Sequence, residues 1–479
     1  MGNPTIFKLC GLLLLCFSLT MLPPIVIDWC YQESSGYPFI QSFIVMTLLG
    51  STLWYPFRHT QLELRGRDAF MVVVLFWVAL SLIGALPFLL SLEADISLTD
   101  AVFESVSGIT ATGATVLSKL EDLPHSILYY RQQLQFFGGL GILILAVAII
   151  PMLGVGGMQL FRADASGPIK DNKMTPRITE TAKGLWIIYI LLTLLCGITY
   201  VSLGMTPFDA LCYAFGTIST GGFAPYDSSF ALYNTAALKT ASMIFMFLAA
   251  VSFPLHFIAI HHRQLQHYWH DEELRSYVFL LGFSFILAIL YLSYHPVEFA
   301  ISDTLFHIVS FSTTTGYMTS NYSVLPGFLP LFLFFLAIIG GCAGSTSGGI
   351  KVIRLILLQK QGSREIKRLI HPNGIFSIQY GNTAVSPTIT DAVWGFIAVY
   401  GVVFCVLLLL LLSTESDFTT AYGALMGTLS NAGPGLGDCV DHYGNLQQSS
   451  KWILSLAMIA GRLEIFTLLV FISPQFWRN

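Results

Sequence analysis

The chain is laid out as long apolar blocks separated by short polar segments. Candidate blocks lie near 6–27, 38–56, 69–92, 127–152, 184–204, 234–260, 277–294, 327–350, 389–412 and 450–473. A helix needs roughly 20 apolar residues to cross a hydrocarbon core about 30 Å thick, so the pattern predicts ten spans. One interruption stands out. Between MVVVLFWVALSLIGALPFLL (71–90) and GILILAVAII (141–150) lies TATGATV (110–116), polar and glycine-bearing, without a bulky hydrophobe before its final Val. Such a stretch does not belong against lipid tails.

Composition turns this pattern into a class. Of 479 residues, 54% are hydrophobic and only 10% charged, against roughly 25% charged in soluble domains. A soluble enzyme is excluded, and an all-α polytopic membrane protein is expected. The first block resembles a signal peptide, since Lys8 precedes LLLLCF, but no small-residue cleavage site follows. It is read as a transmembrane helix. With the N-terminus cytoplasmic, inner loops collect most Lys and Arg, among them Arg58, Arg65, Arg162, Lys170, Lys173, Arg177, Lys351, Arg354, Lys360, Arg364, Lys367 and Arg368. Outer segments keep Lys119, Lys239 and Lys451, which places both termini inside by the positive-inside rule. The outer face is acidic, with Asp28, Glu33, Glu93, Asp95, Asp122, Asp227, Asp438 and Asp441, a bias that favours a cation.

The polar interruption recurs. DAVFESVSGITATGATV (100–116), DALCYAFGTISTGGFAP (209–225), DTLFHIVSFSTTTGYMT (303–319) and TTAYGALMGTLSNAGPG (419–435) align on Gly113, Gly222, Gly316 and Gly433. Thirteen residues upstream stand Asp100, Asp209, Asp303 and Thr420. Six upstream the residue is small, Ser107, Gly216, Ser310 and Gly427. Three upstream it is hydroxylated, Thr110, Ser219, Thr313 and Ser430. This is an internal repeat. The Asp or Thr at the head is read as an N-cap, opening a helix too short to span. Irregular backbone at membrane depth survives only buried or lining water. Four such stretches on one axis would ring it with carbonyls, as a cation filter does. The predicted filter residues are Thr110, Ala111, Thr112, Gly113, Ser219, Thr220, Gly221, Gly222, Thr313, Thr314, Thr315, Gly316, Ser430, Asn431, Ala432 and Gly433.

SGITATGATV, STGGF, GGCAGSTSGGIKVIR (340–354), MQLFRADASGPIKDNKMTPR (158–177), NAGPGLG (431–437) and GRLE (461–464) together resemble the Trk/Ktr/HKT superfamily of potassium transporters, in its bacterial TrkH/TrkG branch. The resemblance covers essentially the whole chain. It implies a K⁺-channel-like fold of two N-terminal helices (1–57) followed by four pseudo-symmetric helix–pore-helix–helix repeats. Those repeats fall at 69–160, 183–262, 276–358 and 386–479. It also implies a homodimer in the bacterial inner membrane, K⁺ as the transported ion, and a cytosolic TrkA-like partner binding NAD(H) or ATP. No organic cofactor and no nucleic acid are expected. The four aligned glycines match the family's filter positions, Gly113 being the potassium-type residue where some relatives carry Ser. No repeat reads TVGYG and only one glycine is common to all four, so a pore passing Na⁺ or NH₄⁺ stays open, as does an ion-coupled secondary symporter.

Two features interrupt the second helices. GGCAGSTSGG contains Gly340, Gly341, Gly344, Gly348 and Gly349 around Ser345, and each glycine costs about 1 kcal/mol of helix propensity. The segment is expected to break its helix and line a cavity, close small-residue packing being the alternative. Arg462 stands about 13 residues into the last block, near the midplane, where a cation is expensive and usually functional. Counting 29 residues from Gly433 reaches Arg462, and the same count from Gly316 reaches Ser345. The loop and the cation are therefore expected at one depth, jointly obstructing the pore, and the resemblance implies the same. Glu464 lies near but on another helix face.

Other features are set aside. A Ser nucleophile in GSTSGG has no base placed with it. His256, His261, His262, His267 and His270 read as a solvated loop face rather than a metal site. GGLG (138–141) and GPGLG (433–437) do not open a βαβ helix after a strand. Arg131 either snorkels or anchors the short helix of repeat one. Cys30 and Cys439 both face outward on this reading, without a derived pairing.

Overall fold

A backbone shielded from water must satisfy its own N–H and C=O groups, and a helix does so within one segment. The apolar blocks accordingly fold as helices. Residues 4–33, 35–59, 66–91, 96–148, 174–295, 301–381, 383–414 and 416–474 are described by a computed structural model of the chain. Among the described residues five helices are by themselves long and apolar enough to cross a membrane, Ile6–Tyr31, Val73–Leu90, Thr181–Ser202, Glu272–Tyr294 and Pro387–Leu412. Two sharply bent pairs would make seven. The expected blocks 38–56, 127–152 and 327–350 are helical as Tyr37–Trp54, His125–Ala148 and Leu329–Ile339, the last cut short by a loop. Most of the motif at 158–177 and the basic residues Arg65, Arg162, Lys170 and Lys173 lie outside the described residues, as do the acidic Glu93 and Asp95. Among the described residues the only strands are Gln379–Tyr380 and Thr383–Ala384, one small antiparallel hairpin.

The N-terminal helices pack through small residues. A Cβ on Gly11 would fall 2.8 Å from the Gly50 carbonyl oxygen, and one on Gly50 would fall 3.1 Å from that of Gly11. Backbones approach this closely only where side chains are missing.

The four short helices are Leu98–Ile109, Pro207–Ile218, Ile301–Ser312 and Phe418–Leu429, 12 residues each. At about 1.5 Å per residue they reach about 18 Å, too little to span. Their caps correct the sequence reading. Ser97 and Thr206 cap the first two, accepting from the amides of Asp100 and Asp209, while Asp417 caps the fourth through the amides of Thr419 and Thr420. Asp100, Asp209, Asp303 and Thr420 thus sit third within their helices. The Asp100 and Asp209 carboxylates in turn accept from the Ser97 and Thr206 hydroxyls at 2.7 Å. The partners of these carboxylates come from other helices. Lys451 reaches Asp100 and Lys239 reaches Asp303, both at 2.6 Å, so two lysines stitch repeat four to one and repeat two to three. Repeat two's Asp209 instead takes the Tyr226 and Tyr233 hydroxyls at 3.2 and 2.5 Å.

The blocks 234–260 and 450–473, each expected as one span, are both broken. Ala236–Ala250 and Phe253–His262 meet at 92°, and Gln448–Arg462 meets Phe466–Ile472 at 111°. Glu464 and Ile465, both at positive φ, form the second bend. In repeat three the helix ends at Ile339 and resumes at Val352. Twenty-nine residues beyond Gly222, Gly316 and Gly433 stand Val251, Ser345 and Arg462, so the three breaks share one depth. In repeat one that count falls at Ile142, inside the unbroken His125–Ala148.

Candidate cation pathway

Each short helix ends in the same turn. The amides of Ala111 and Thr112 bond the carbonyls of Gly108 and Ser107. Thr220 and Gly221 repeat this on Thr217 and Gly216, Thr314 and Thr315 on Phe311 and Ser310, and Asn431 and Ala432 on Thr428 and Gly427. This paired pattern is a Schellman cap, which needs one residue in the left-handed region. Ala111, Thr220, Thr314 and Asn431 occupy it at φ 49°, 51°, 57° and 53°. None is glycine, so each carries strain on the order of 1 kcal/mol that the surrounding packing must hold. The small column six upstream follows. The chain folds back over the helix end, so a Cβ on Gly216 would lie 2.9 Å from the Phe223 carbonyl oxygen and one on Gly427 2.0 Å from that of Pro434, and at Gly216 the Tyr317 hydroxyl of repeat three lies nearer still, at 2.3 Å. The hydroxyl column has its reason too. Thr110, Thr313 and Ser430 donate to the carbonyls four residues back, Val106, Val309 and Met426, and Ser219 donates to Gly216.

The aligned glycines close a ring. Gly113, Gly222, Gly316 and Gly433 all have positive φ, 87°, 77°, 77° and 91°. A Cβ on Gly113 would fall 2.2 Å from the Gly221 carbonyl oxygen, one on Gly222 1.9 Å from that of Thr315, one on Gly316 2.0 Å from Ala432, and one on Gly433 2.6 Å from Thr112. Each glycine abuts the residue before the next repeat's glycine, and the sequence one, two, three, four returns to one. All four glycines border a single cavity of about 430 Å³, with Asp227 and Asp441 also in its wall. The Asp227 carboxylate accepts from the amides of Lys119 and Leu120 at 2.7 and 3.2 Å.

Behind the ring stands a polar scaffold in which Arg131 anchors the short helix of repeat one, through a partner on that helix, Glu104, that the sequence reading did not name. Arg131, buried and neither snorkelling nor exposed, pairs with buried Glu104 at 2.7 Å, donates to the Ala224 carbonyl and the Thr115 hydroxyl, and lies over the Phe223 ring. Glu104 also accepts from the Val116 amide at 3.0 Å. Repeats one and two are thereby joined just beyond their glycines. The Asn431 amide donates to the Thr112 hydroxyl and the Met458 carbonyl, both at 2.9 Å, and the Tyr443 hydroxyl donates to the Gly433 carbonyl at 2.7 Å. Removing one member of a buried ion pair costs about 3–5 kcal/mol because the other charge is stranded. Arg131→Met is therefore expected to lower the melting temperature of the purified protein in detergent, and Arg131→Met with Glu104→Gln to recover part of that loss. Equal melting temperatures for parent and single variant would rule out the scaffold role.

On the other side of the ring the loop 340–351 fills the space. Gly340 and Gly349, at φ 73° and 76°, pinch its neck, and the amides of Ile350 and Lys351 bond back to Ile338 and Ile339. The tip touches three repeats. Thr346 donates to the Ile218 carbonyl at 2.9 Å, the Gly348 amide donates to the Thr314 hydroxyl at 2.6 Å, and the Gly349 amide donates to the Ser430 carbonyl at 3.0 Å. Gly341 packs on the Ala250 carbonyl, and Gly344, at φ 75°, takes the Phe253 amide on its own carbonyl. Arg462 donates to the Thr346 carbonyl at 2.9 Å and to that of Gly138 at 3.3 Å. The expected meeting of loop and cation is present, one residue from Ser345. A second buried cation was not foreseen. Lys351, counted among the inner-loop charges, turns inward to the Ser347 carbonyl at 2.5 Å. Glu464 pairs with Arg354, not with Arg462. A cavity of only about 20 Å³ remains between the loop, Lys351, Asn431 and Arg462.

The histidine reading needs one correction. His256 is buried, its ring bonded to the Leu248 carbonyl and the Tyr268 hydroxyl, rather than on a solvated loop. Among the described residues no His, Cys, Asp and Glu cluster fits a metal ion. Cys30 is exposed and Cys439 buried, both as free thiols.

Among the described residues, the apolar helical blocks, the four short-helix repeats and the ring of glycines define a polytopic membrane protein of the K⁺-channel-like, internally repeated class. A family model described as TrkH, cation transport protein, matches residues 35–478. The Trk system potassium uptake protein TrkH of Vibrio parahaemolyticus is 47% identical over 481 residues, covering 99% of each chain. TrkH of Escherichia coli K12 is 46% identical over 478 residues, and TrkG of the same organism 36% over 475. The crystal structure of the potassium transporter TrkH from Vibrio parahaemolyticus superposes with a TM-score of 0.93 at 44% identity over the whole of both chains. The chain belongs to the TrkH family of cation transport proteins.

Proposed function

We propose that this chain carries K⁺ into a bacterial cell through a single-subunit pore in the cytoplasmic membrane, driven by the membrane potential. The observation that carries the reading is the closed cycle of glycines, each seated against the next repeat's carbonyl. Backbone carbonyls so arranged replace a cation's hydration shell, and the four short helices point their C-terminal ends, with their partial negative charge, toward the same place. The names of the relatives favour potassium. The units of the pore are the four repeats 69–160, 183–262, 276–358 and 386–479, behind the helix pair 1–57. The loop 340–349 with Arg462 serves as the gate. Both termini face the cytoplasm, where the helix Val352–Ile370 presents Lys360, Arg364, Lys367 and Arg368. A TrkA-like nucleotide-binding subunit docks beneath a homodimer on that basic face.

The test is growth on low K⁺ of a bacterium lacking its own K⁺ uptake, followed by ⁸⁶Rb⁺ entry into proteoliposomes under an imposed potential with no pH or Na⁺ gradient. Rescue with potential-driven uptake is expected. Uptake only with an added H⁺ or Na⁺ gradient would favour the symporter, and equal passage of Na⁺ would refute potassium selectivity.

A further inference from the structure

Three of the four ring carbonyls belong to residues with a Cβ, Thr112, Thr315 and Ala432, and the fourth belongs to Gly221. Glycine has the widest backbone freedom, so the Gly221 peptide is the one most able to swing its oxygen out of the ring. Yet this oxygen holds the ring position, 2.2 Å from a Cβ built on Gly113, within the 1.9–2.6 Å span of its three counterparts. The reason is on the neighbouring helix. Gln135, fully buried in repeat one, donates its amide to the Gly221 carbonyl at 2.6 Å and accepts from the Phe223 amide at 3.1 Å. The two bonds bracket the Gly221–Phe223 segment from outside the ring. Among the described residues no hydrogen bond reaches the Thr112, Thr315 or Ala432 carbonyl. Ile244, Ile338 and Ser455 stand where Gln135 stands, 22 residues beyond the other glycines.

The space behind Gly221 is also taken. A Cβ there would lie 2.5 Å from the Gln135 side-chain carbon Cδ. Gly221 does not adopt a left-handed φ, so only this contact bars a larger residue. We propose that Gln135 is a positioning residue for ion selection, its amide doing for repeat two what a Cβ does in the other repeats. A carbonyl oxygen has two lone pairs, so one bond to Gln135 leaves the other for a permeating ion. The inference rests on the ring being the filter.

Gln135→Glu keeps the side-chain volume and the acceptor for Phe223 and, assayed at alkaline pH where the buried carboxyl is ionised, removes the donor to Gly221. In proteoliposomes of the full chain it is expected to retain ⁸⁶Rb⁺ uptake while the K⁺ over Na⁺ permeability ratio falls about tenfold, the scale of a lost bond to a buried carbonyl. Gln135→Ala should behave alike and Gly221→Ala should also lose discrimination. The double variant Gln135→Ala with Gly221→Ala should return to within about twofold of the parent, because the new Cβ enters the vacated space. An unaltered ratio in Gln135→Glu, or a double variant no better than Gln135→Ala, would overturn the proposal. Should Gln135→Glu not fold, the double variant decides alone. Gly113→Ser separates the two levels. If it too leaves the ratio unchanged the filter reading fails, whereas a changed ratio there with unchanged Gln135 variants removes only the role of Gln135.

Discussion

Gly222→Ala is expected to bring ⁸⁶Rb⁺ uptake down to the level of empty vesicles. Two penalties coincide at this position. Its φ of 77° is left-handed, which costs an L-residue roughly 1–2 kcal/mol. The larger penalty is spatial, since the new methyl would lie 1.9 Å from the Thr315 carbonyl oxygen. Unbonded carbon and oxygen stay at least about 3 Å apart, so the repeats must separate by about 1 Å at the ring, enough to spoil a cage sized for one ion. Gly204→Ala isolates the first penalty. Gly204 has φ 103° with nothing within 4 Å, so it incurs backbone strain without crowding and should leave uptake near the parent level. If Gly222→Ala transports like the parent, the ring is not the conduction path.

Arg462→Ala is expected to raise resting ⁸⁶Rb⁺ flux by an order of magnitude or more. The guanidinium is buried, holds the loop by the Thr346 carbonyl, and has no carboxylate partner among the described residues. Two unit charges about 8 Å apart at an effective dielectric of about 20 repel by ~2 kcal/mol, close to thirtyfold in ion occupancy. Removing the charge lowers that barrier and frees the loop tip together. Arg462→Lys keeps the charge but not the forked reach to both Thr346 and Gly138, so its flux should fall between the two. Shortening the loop between Gly340 and Gly349 should raise flux independently. Flux unchanged by both the Arg462 substitution and the shortened loop would show that the plug is only packing.

The apolar blocks, the fourfold register and the glycine column were legible in the sequence because each depends on local facts. A block of about 20 apolar residues and a recurrent glycine at positive φ leave their mark on consecutive positions. The shared depth of Ser345 and Arg462 was reachable by counting along helices. Other features were not. The Asp at the head of three repeats looked like an N-cap, but its place is set by Ser97 and Thr206 three residues earlier, and its partners Lys239 and Lys451 come from other repeats. The breaks after Ala250 and Arg462 are marked only by single residues, Pro254 and Gly461, against the five glycines of 340–349, although the three share one depth.

By itself the sequence determined the membrane class, the number of repeats and the stretches of backbone that leave the helix, since lipid permits helix everywhere except where protein or water shelters the chain. Only the tertiary structure decided which groups face each other across the repeats. Gln135 behind Gly221, Arg131 with Glu104, Lys351 inside the loop and Arg462 on Thr346 join residues far apart in sequence. A hydrogen bond or ion pair between distant helices is fixed by how those helices pack, and no spacing along one helix encodes it.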